Sequence, residues 1–217
     1  MLLSICYRDT KNEIFEIDHE QHDLPVLRSF TMPKEAVHTS GLCLQGGVLW
    51  AVDYISNEIY AMDPEISLSS GKAELIQRFP TGLKRTGSLA CVQLDGKSYF
   101  AVSEFIHSGR TYLLDSKALV DTASFKKSLR YSYKNGYFNQ GLSFHQGHLY
   151  ESNNNLGWDT IFQIDLKKAI AADDYRAGII RAIRAPGPAL EEMAFTPSGE
   201  AWITDEITFA IYKTRLD

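Results

Sequence analysis

The feature that most constrains this chain is an internal repeat of roughly fifty residues. Each copy has a short apolar run, a turn containing glycine, an aromatic residue in the next run, and a third run that usually closes with aspartate. The turn glycines are Gly47, Gly96, Gly147 and Gly199. Such a period is typical of propeller blades, each a four-stranded antiparallel sheet, arranged around a common axis. The repeat therefore predicts an all-β propeller.

The spacing predicts about five blades, with the first and the last incomplete. Their approximate limits are residues 1–33, 40–80, 86–134, 139–186 and 190–217. The first copy lacks an innermost strand and the last lacks an outermost one. Three modes of closure remain open: unusual pairing of the partial blades, a four-bladed ring, or a longer or oligomeric assembly. No linker or charge run divides the 217 residues, so we expect one propeller domain.

Composition excludes some classes of partner. The formal net charge is -5, and no dense stripe of Lys and Arg is present to bind nucleic acid or an anionic membrane surface. No run approaches the ~20 apolar residues of a membrane helix. The cysteines Cys6, Cys43 and Cys91 suggest neither a disulfide framework nor a metal motif, so we expect buried thiols. This predicts a cytoplasmic protein, or a periplasmic or secreted one if a leader has been removed.

Polar residues recur where innermost strands begin and second strands end. In a propeller these positions face the channel or its rim, so Asn153 and Glu191 are predicted to contact a ligand. Four carboxylates at or near such positions could bind a divalent cation in the channel through oxygen ligands. They are Asp53, Glu104, Glu192 and Asp205. Otherwise no cofactor is expected. Trp158 follows an Asn-rich turn, where an exposed aromatic could stack on a ligand.

The stretch 138–166 carries the most distinctive residues. It contains Phe138, Gln140, Gly141 and Leu142, then Leu149, Tyr150, Glu151 and Ser152, then Gly157, Asp165 and Leu166. This pattern resembles the hallmark blade of the glutaminyl-peptide cyclotransferases of the plant and bacterial type, which are five-bladed propellers. The resemblance implies that Glu151 is the acid/base catalyst, that Phe138 and Gln140 line the site, and that Trp158 or a neighbouring aromatic orients the substrate.

Members of that family cyclise an N-terminal glutamine to pyroglutamate and release ammonia. The resemblance thus implies an acyltransferase in which Glu151 moves a proton from the α-amino group to the departing amide nitrogen, so that a peptide N-terminus or small molecule is the partner. Two alternatives stay open, a non-catalytic binding scaffold and a metal-dependent hydrolase like the gluconolactonase propellers. The incomplete terminal blades also allow a homo-oligomer.

Overall fold

The computed structural model describes residues 1–7, 11–154, 159–208 and 210–216, which form eighteen strands and five short helices. The first nine strands are β1 (Leu2–Tyr7), β2 (Lys11–Ile17), β3 (Val26–Thr31), β4 (Thr39–Gln45), β5 (Val48–Asp53), β6 (Glu58–Asp63), β7 (Glu74–Pro80), β8 (Thr86–Leu94) and β9 (Lys97–Glu104). The others are β10 (Arg110–Asp115), β11 (Leu129–Lys134), β12 (Asn139–His145), β13 (His148–Asn153), β14 (Thr160–Ile164), β15 (Ile179–Arg184), β16 (Leu190–Phe195), β17 (Glu200–Asp205) and β18 (Ala210–Arg215). The helices are α1 (Pro64–Ser70), α2 (Ser116–Thr122), α3 (Phe125–Ser128), α4 (Leu166–Ala172) and α5 (Tyr175–Gly178).

These strands form five antiparallel sheets, which are the blades of a propeller. Strands β4 to β7, β8 to β11 and β12 to β15 make three four-stranded blades in chain order. Strands β1 to β3 and β16 to β18 make two three-stranded blades at the ends of the chain. The innermost strands β4, β8, β12 and β16 pack side by side in that order. The predicted all-β propeller with incomplete first and last blades is confirmed.

The first blade contains the second, third and fourth strands of the repeat. Thr31 at the end of β3 forms a parallel bridge with Lys72, just after α1, and Lys134 at the end of β11 forms the same bridge with Asp174. Because β11 is the outermost strand of its blade, β3 holds the equivalent position. The terminal blades meet where the His19 ring packs edge-on against Trp202, with ring centroids 6.0 Å apart.

The aspartates that close the third strands cap helices. The side chains of Asp63, Asp115 and Asp165 each accept a hydrogen bond from a backbone N–H in the first turn of α1, α2 or α4. An N-cap carboxylate satisfies an N–H that has no partner inside the helix. Helices α2 and α4 occupy the inserts that follow Asp115 and Asp165. Helix α1 was not predicted, although Asp63 followed by Pro64 is a typical helix start.

The core lies between the faces of adjacent blades. The aromatic residue after each turn glycine belongs to it, with Trp50, Phe100, Tyr150 and Trp202 at most 7% exposed. The Trp50 and Phe100 rings pack against each other between the second and third blades, with centroids 4.4 Å apart. The aromatic residues of the repeat therefore belong to the core between blades.

The prediction of buried thiols was wrong for two of the cysteines. Cys43 on β4 and Cys91 on β8 form a disulfide between two innermost strands, and both residues are only half-buried. A Cβ at Gly41 would lie 2.5 Å from the backbone nitrogen of Leu89, so the two strands approach closely beside the disulfide. The side chain of Cys6 is not among those described. Within the described ranges, no helix has the length and apolar character needed to span a membrane.

Candidate functional site

Glu151 is a carboxylate at a position that is apolar in the sister blades. It lies on β13 opposite Leu142 of β12. The corresponding residues in the three other blades that have an innermost strand are Ala51, Val102 and Ile203, each opposite an apolar residue of that strand. Glu151 is 0% exposed, like these three. Since burying a carboxylate is unfavourable unless it is well compensated, its presence here is not explained by core packing.

The two oxygens of the Glu151 carboxyl group have different surroundings. Oε1 accepts hydrogen bonds from the Tyr133 hydroxyl at 2.6 Å and the Thr111 hydroxyl at 3.2 Å, both from the preceding blade. Oε2 has no hydrogen-bond partner among the described residues. Burial raises the pKa of Glu151 to about 7, against the lowering effects of Tyr133, Thr111 and the Gly136 N–H. The group can therefore exchange a proton near neutral pH.

Glu151 Oε2 lies in a buried polar region between the third and fourth blades. We call this region the polar chamber. Besides Glu151, it comprises Ser103, Asn135, Asn139 and Asn153, each less than 10% exposed. Asn153 and Asn139 are register partners, and Asn153 is two residues from Glu151, so all three point to the same face of the blade. On the third blade, Ser103 is the register partner of Thr111, which contacts Glu151. Ser103 therefore faces the three residues of the fourth blade.

The predicted residue Phe138 lies on the rim immediately before β12. Its φ is 46°, a left-handed conformation that is rare for a bulky side chain. Its ring lies 5.3 Å from that of Phe105, which in turn lies 5.8 Å from that of Tyr54. These three half-buried residues form an aromatic belt along the rim of three successive blades.

Gln140 and the adjacent glutamates meet at the channel entrance. The Gln140 amide donates to Glu191 Oε1 at 3.1 Å. Burial, followed by the charge of Glu206, raises the pKa of Glu191 to about 8. Glu192 accepts hydrogen bonds from the Ser88 hydroxyl at 2.7 Å and the Leu142 N–H at 3.1 Å, and burial raises its pKa well above the usual range. Glu192 therefore joins three blades.

The other predicted metal ligands make local hydrogen bonds. Asp53 accepts from the N–H groups of Ile55 and Ser56, and Asp205 accepts from the equivalent N–H groups after β17. Glu104 accepts from the Tyr112 hydroxyl at 3.1 Å. Across the described ranges, no three His, Cys, Asp or Glu side chains are grouped so that they could hold a metal ion. The four carboxylates predicted as ligands are thus not grouped together in the part of the chain that the structure describes.

Several parts of the site were not anticipated. Trp158 was predicted to contact a ligand, but it lies outside the described residues. Tyr133, Thr111 and Asn139 were not predicted, because no local motif marks a residue that acts across a blade interface. A cavity of about 680 Å³ opens at the other end of the channel, among Leu44 and Phe195, and Glu151 is not part of its lining.

Comparison with known proteins supports the fold. No family profile matches the sequence, and no curated protein sequence matches it. The crystal structure of Myxococcus xanthus glutaminyl cyclase matches with a TM-score of 0.65 at 11% identity, over 95% of this chain and 82% of that one. The chain has a glutaminyl cyclase-like propeller fold. A Bacteroides caccae protein of unknown function matches with a TM-score of 0.52 at 8% identity, over 100% and 69% of the two chains. Hydrazine synthase from Kuenenia stuttgartiensis matches with a TM-score of 0.50 at 12% identity, over 95% of this chain and 60% of that one.

Proposed function

We propose that this propeller cyclises an N-terminal glutamine to pyroglutamate, with Glu151 as the acid/base catalyst. The observation that carries the proposal is the Glu151 carboxyl group, which is buried at a position where the sister blades have Ala51, Val102 and Ile203. Its Oε2 has no hydrogen-bond partner among the described residues. A buried acid with a pKa of about 7 weakens the fold at neutral pH but suits proton transfer there. The glutaminyl cyclase-like fold agrees with this proposal.

The reaction needs one group that first accepts and then returns a proton. As the substrate α-amino nitrogen attacks its side-chain amide carbon, Glu151 Oε2 takes a proton from that nitrogen. The carboxylic acid then protonates the amide nitrogen, the carbon–nitrogen bond breaks, and ammonia leaves with the electron pair of that bond. No nucleophilic side chain, metal or cofactor is required. Tyr133 and Thr111 hold Oε1, so Oε2 is the oxygen that exchanges the proton.

The substrate would approach from the rim above Glu151. Gly136 to Phe138 lie over the carboxyl group, since the Gly136 N–H lowers its pKa and the Phe138 carbonyl accepts a hydrogen bond from the Asn154 N–H just after β13. Tyr137 is 48% exposed and Phe138 has a positive φ. Strained backbone of this kind occurs often at sites that bind ligands. We infer that this turn shifts when the peptide N-terminus enters, and that Phe138 and Gln140 then contact it.

The disulfide favours an oxidising compartment for this activity. Disulfides persist in secreted and periplasmic proteins and are rare in the cytosol. Cys43 and Cys91 are both half-buried, so cytosolic reductants would reach them more easily than a bond in the core. We therefore propose periplasmic or secreted use rather than the cytoplasmic location expected from the cysteine count.

The direct test is incubation of the purified protein with a peptide that begins with glutamine. Mass spectrometry should detect the pyroglutamyl peptide, and the solution should gain one ammonia for each peptide cyclised. A peptide of the same sequence with its α-amino group acetylated is the control, because it lacks the attacking nitrogen. Absence of cyclisation above the spontaneous rate, across the range from pH 6 to pH 9, would exclude the proposed function.

A further inference from the structure

The polar chamber has more unpartnered polar atoms than any other part of the described chain. Eleven buried side-chain nitrogen or oxygen atoms have no hydrogen-bond partner among the described residues, and seven of them belong to the chamber. The seven are Ser103 Oγ, Asn135 Oδ1, Glu151 Oε2, and both amide atoms of Asn139 and of Asn153. Buried polar groups in native proteins are nearly always paired, so this concentration indicates a bound molecule, which is either ordered water or a ligand.

The atoms of the chamber are held close together by tight packing. A Cβ at Gly136 would lie 2.2 Å from Asn153 Oδ1, so the Asn153 amide lies directly against Gly136. The Gly136 N–H also forms a hydrogen bond with the Glu151 carboxyl group that lowers the pKa of Glu151. A Cβ at Gly109 would lie 2.9 Å from Asn135 Oδ1, so the Asn135 amide lies directly against Gly109 of the third blade. This crowding limits any ligand among these atoms to one or a few heavy atoms.

The chemistry of these atoms indicates which small ligand fits. Five of the seven are oxygens that accept hydrogen bonds: Ser103 Oγ, Glu151 Oε2, and Oδ1 of Asn135, Asn139 and Asn153. Only the amide nitrogens of Asn139 and Asn153 are dedicated donors, because the Asn135 amide already donates to the Glu104 carbonyl at 3.2 Å. A ligand that donates more hydrogen bonds than it accepts satisfies this set better than water does. Ammonia and ammonium are such ligands.

We propose that the polar chamber binds ammonia, in its neutral or protonated form, and that it receives the ammonia released by cyclisation. This second part rests on the proposed function, in which the departing amide nitrogen takes its proton from Glu151 Oε2. The nitrogen then leaves carrying its electron pair and three hydrogens, and the chamber oxygens accept hydrogen bonds from it. The chamber holds the product beside the catalyst until the peptide leaves, so added ammonium inhibits the reaction.

The test compares salts on wild-type protein and on variants that remove chamber oxygens. Ser103→Ala and Asn139→Leu are suitable, because neither side chain has a hydrogen-bond partner among the described residues. Removing either side chain therefore leaves no other polar group without its partner. Ser132→Ala is the matched control, since Ser132 lies on the outermost strand of the third blade and contacts Arg110. The probes are ammonium chloride, sodium chloride and potassium chloride at equal ionic strength and pH 8.

Two readouts separate this proposal from the proposed function. Ammonium should raise the Tm of the wild type and of Ser132→Ala by about 2–4 °C relative to sodium and potassium, and the rise should be lost in both chamber variants. Equal effects of ammonium and potassium, or an ammonium effect retained in the variants, would overturn the ammonia site. Ammonium should also slow cyclisation by the wild type but not by the variants. A selective Tm rise in a protein without cyclase activity would support the ammonium site and exclude the proposed function.

Discussion

The Tyr133 hydroxyl donates a hydrogen bond to Glu151 Oε1 across 2.6 Å, joining the outermost strand of one blade to the second strand of the next. Both side chains are fully buried. This contact opposes the effect of burial, which raises the pKa of Glu151 to about 7. It also fixes one carboxyl oxygen so that the other faces the polar chamber.

Removing the Tyr133 hydroxyl should shift the pH dependence of the reaction. Cyclisation requires the ionised carboxylate, so the rate should rise with pH through a midpoint of about 7. Tyr133→Phe removes a hydrogen bond that lowers the pKa of Glu151, so this midpoint should move to higher pH. Tyr131→Phe, an exposed change on the same strand, is the control. A midpoint that moves equally in both variants, or in neither, would rule out this role for Tyr133.

Replacing Glu151 with glutamine should stabilise the protein at alkaline pH. The pKa of Glu151 is raised from 4.5 to about 7 on folding, so its contribution to stability is complete below pH 4.5 and is lost as pH rises through 7. The difference corresponds to about 3 kcal/mol in the free energy of unfolding. Relative to the wild type, Glu151→Gln should gain stability between pH 5 and pH 8. Denaturant unfolding of both proteins at pH 5 and at pH 8 measures this gain. If the free energies of unfolding of the two proteins differ by the same amount at both pH values, the prediction is wrong.

The disulfide should contribute to stability under oxidising conditions. Cys43 and Cys91 are separated by 48 residues, and cross-links of this span stabilise proteins by about 2–4 kcal/mol. Dithiothreitol should therefore lower the Tm of the wild type. The double variant Cys43→Ala, Cys91→Ala should have a lower Tm that dithiothreitol does not change. If the reductant lowers both Tm values equally, the effect does not come from this bond.

Adding a methyl group at Gly136 should harm activity more than stability. The three heavy atoms nearest to a Cβ there, at 2.2 Å to 2.8 Å, all belong to the end of the Asn153 side chain, which must shift to make room. We expect Gly136→Ala to reduce the free energy of unfolding by about 1 kcal/mol but to lower kcat about tenfold, because the chamber is rearranged beside Glu151. In a double-mutant cycle, Gly136→Ala should have a much smaller effect on kcat when Asn153→Ala is already present. Additive effects would show that the two residues act separately.

The blades were predictable from the sequence because their signals are local. The turn glycines, the alternating apolar runs and the closing aspartates each act within a few residues, and they mark the blades that the structure contains. Helix α1 was missed although Asp63 and Pro64 carried its start signal. The Cys43–Cys91 disulfide was missed because its partners meet only once β4 and β8 lie side by side.

The candidate site was predictable only in part. Glu151 and Gln140 stand in the motif that resembles the cyclotransferases, so they could be named from the chain alone. Tyr133, Thr111 and Asn135 lie on the preceding blade or its connection, and their approach to Glu151 depends on how two blades rotate against each other. That rotation is set by packing between the sheets, for which the sequence has no local signal.

The most direct test of the account is the rate of ammonia release from a glutamine-initiated peptide at pH 8, measured for the wild type and for Glu151→Gln and Glu20→Gln. Glu20 is exposed, so its variant should match the wild type. Because acid/base groups contribute about 10²–10⁴-fold to rates, Glu151→Gln should lose at least that lower factor while remaining folded. A folded Glu151→Gln protein that releases ammonia as fast as the wild type would contradict the central claim.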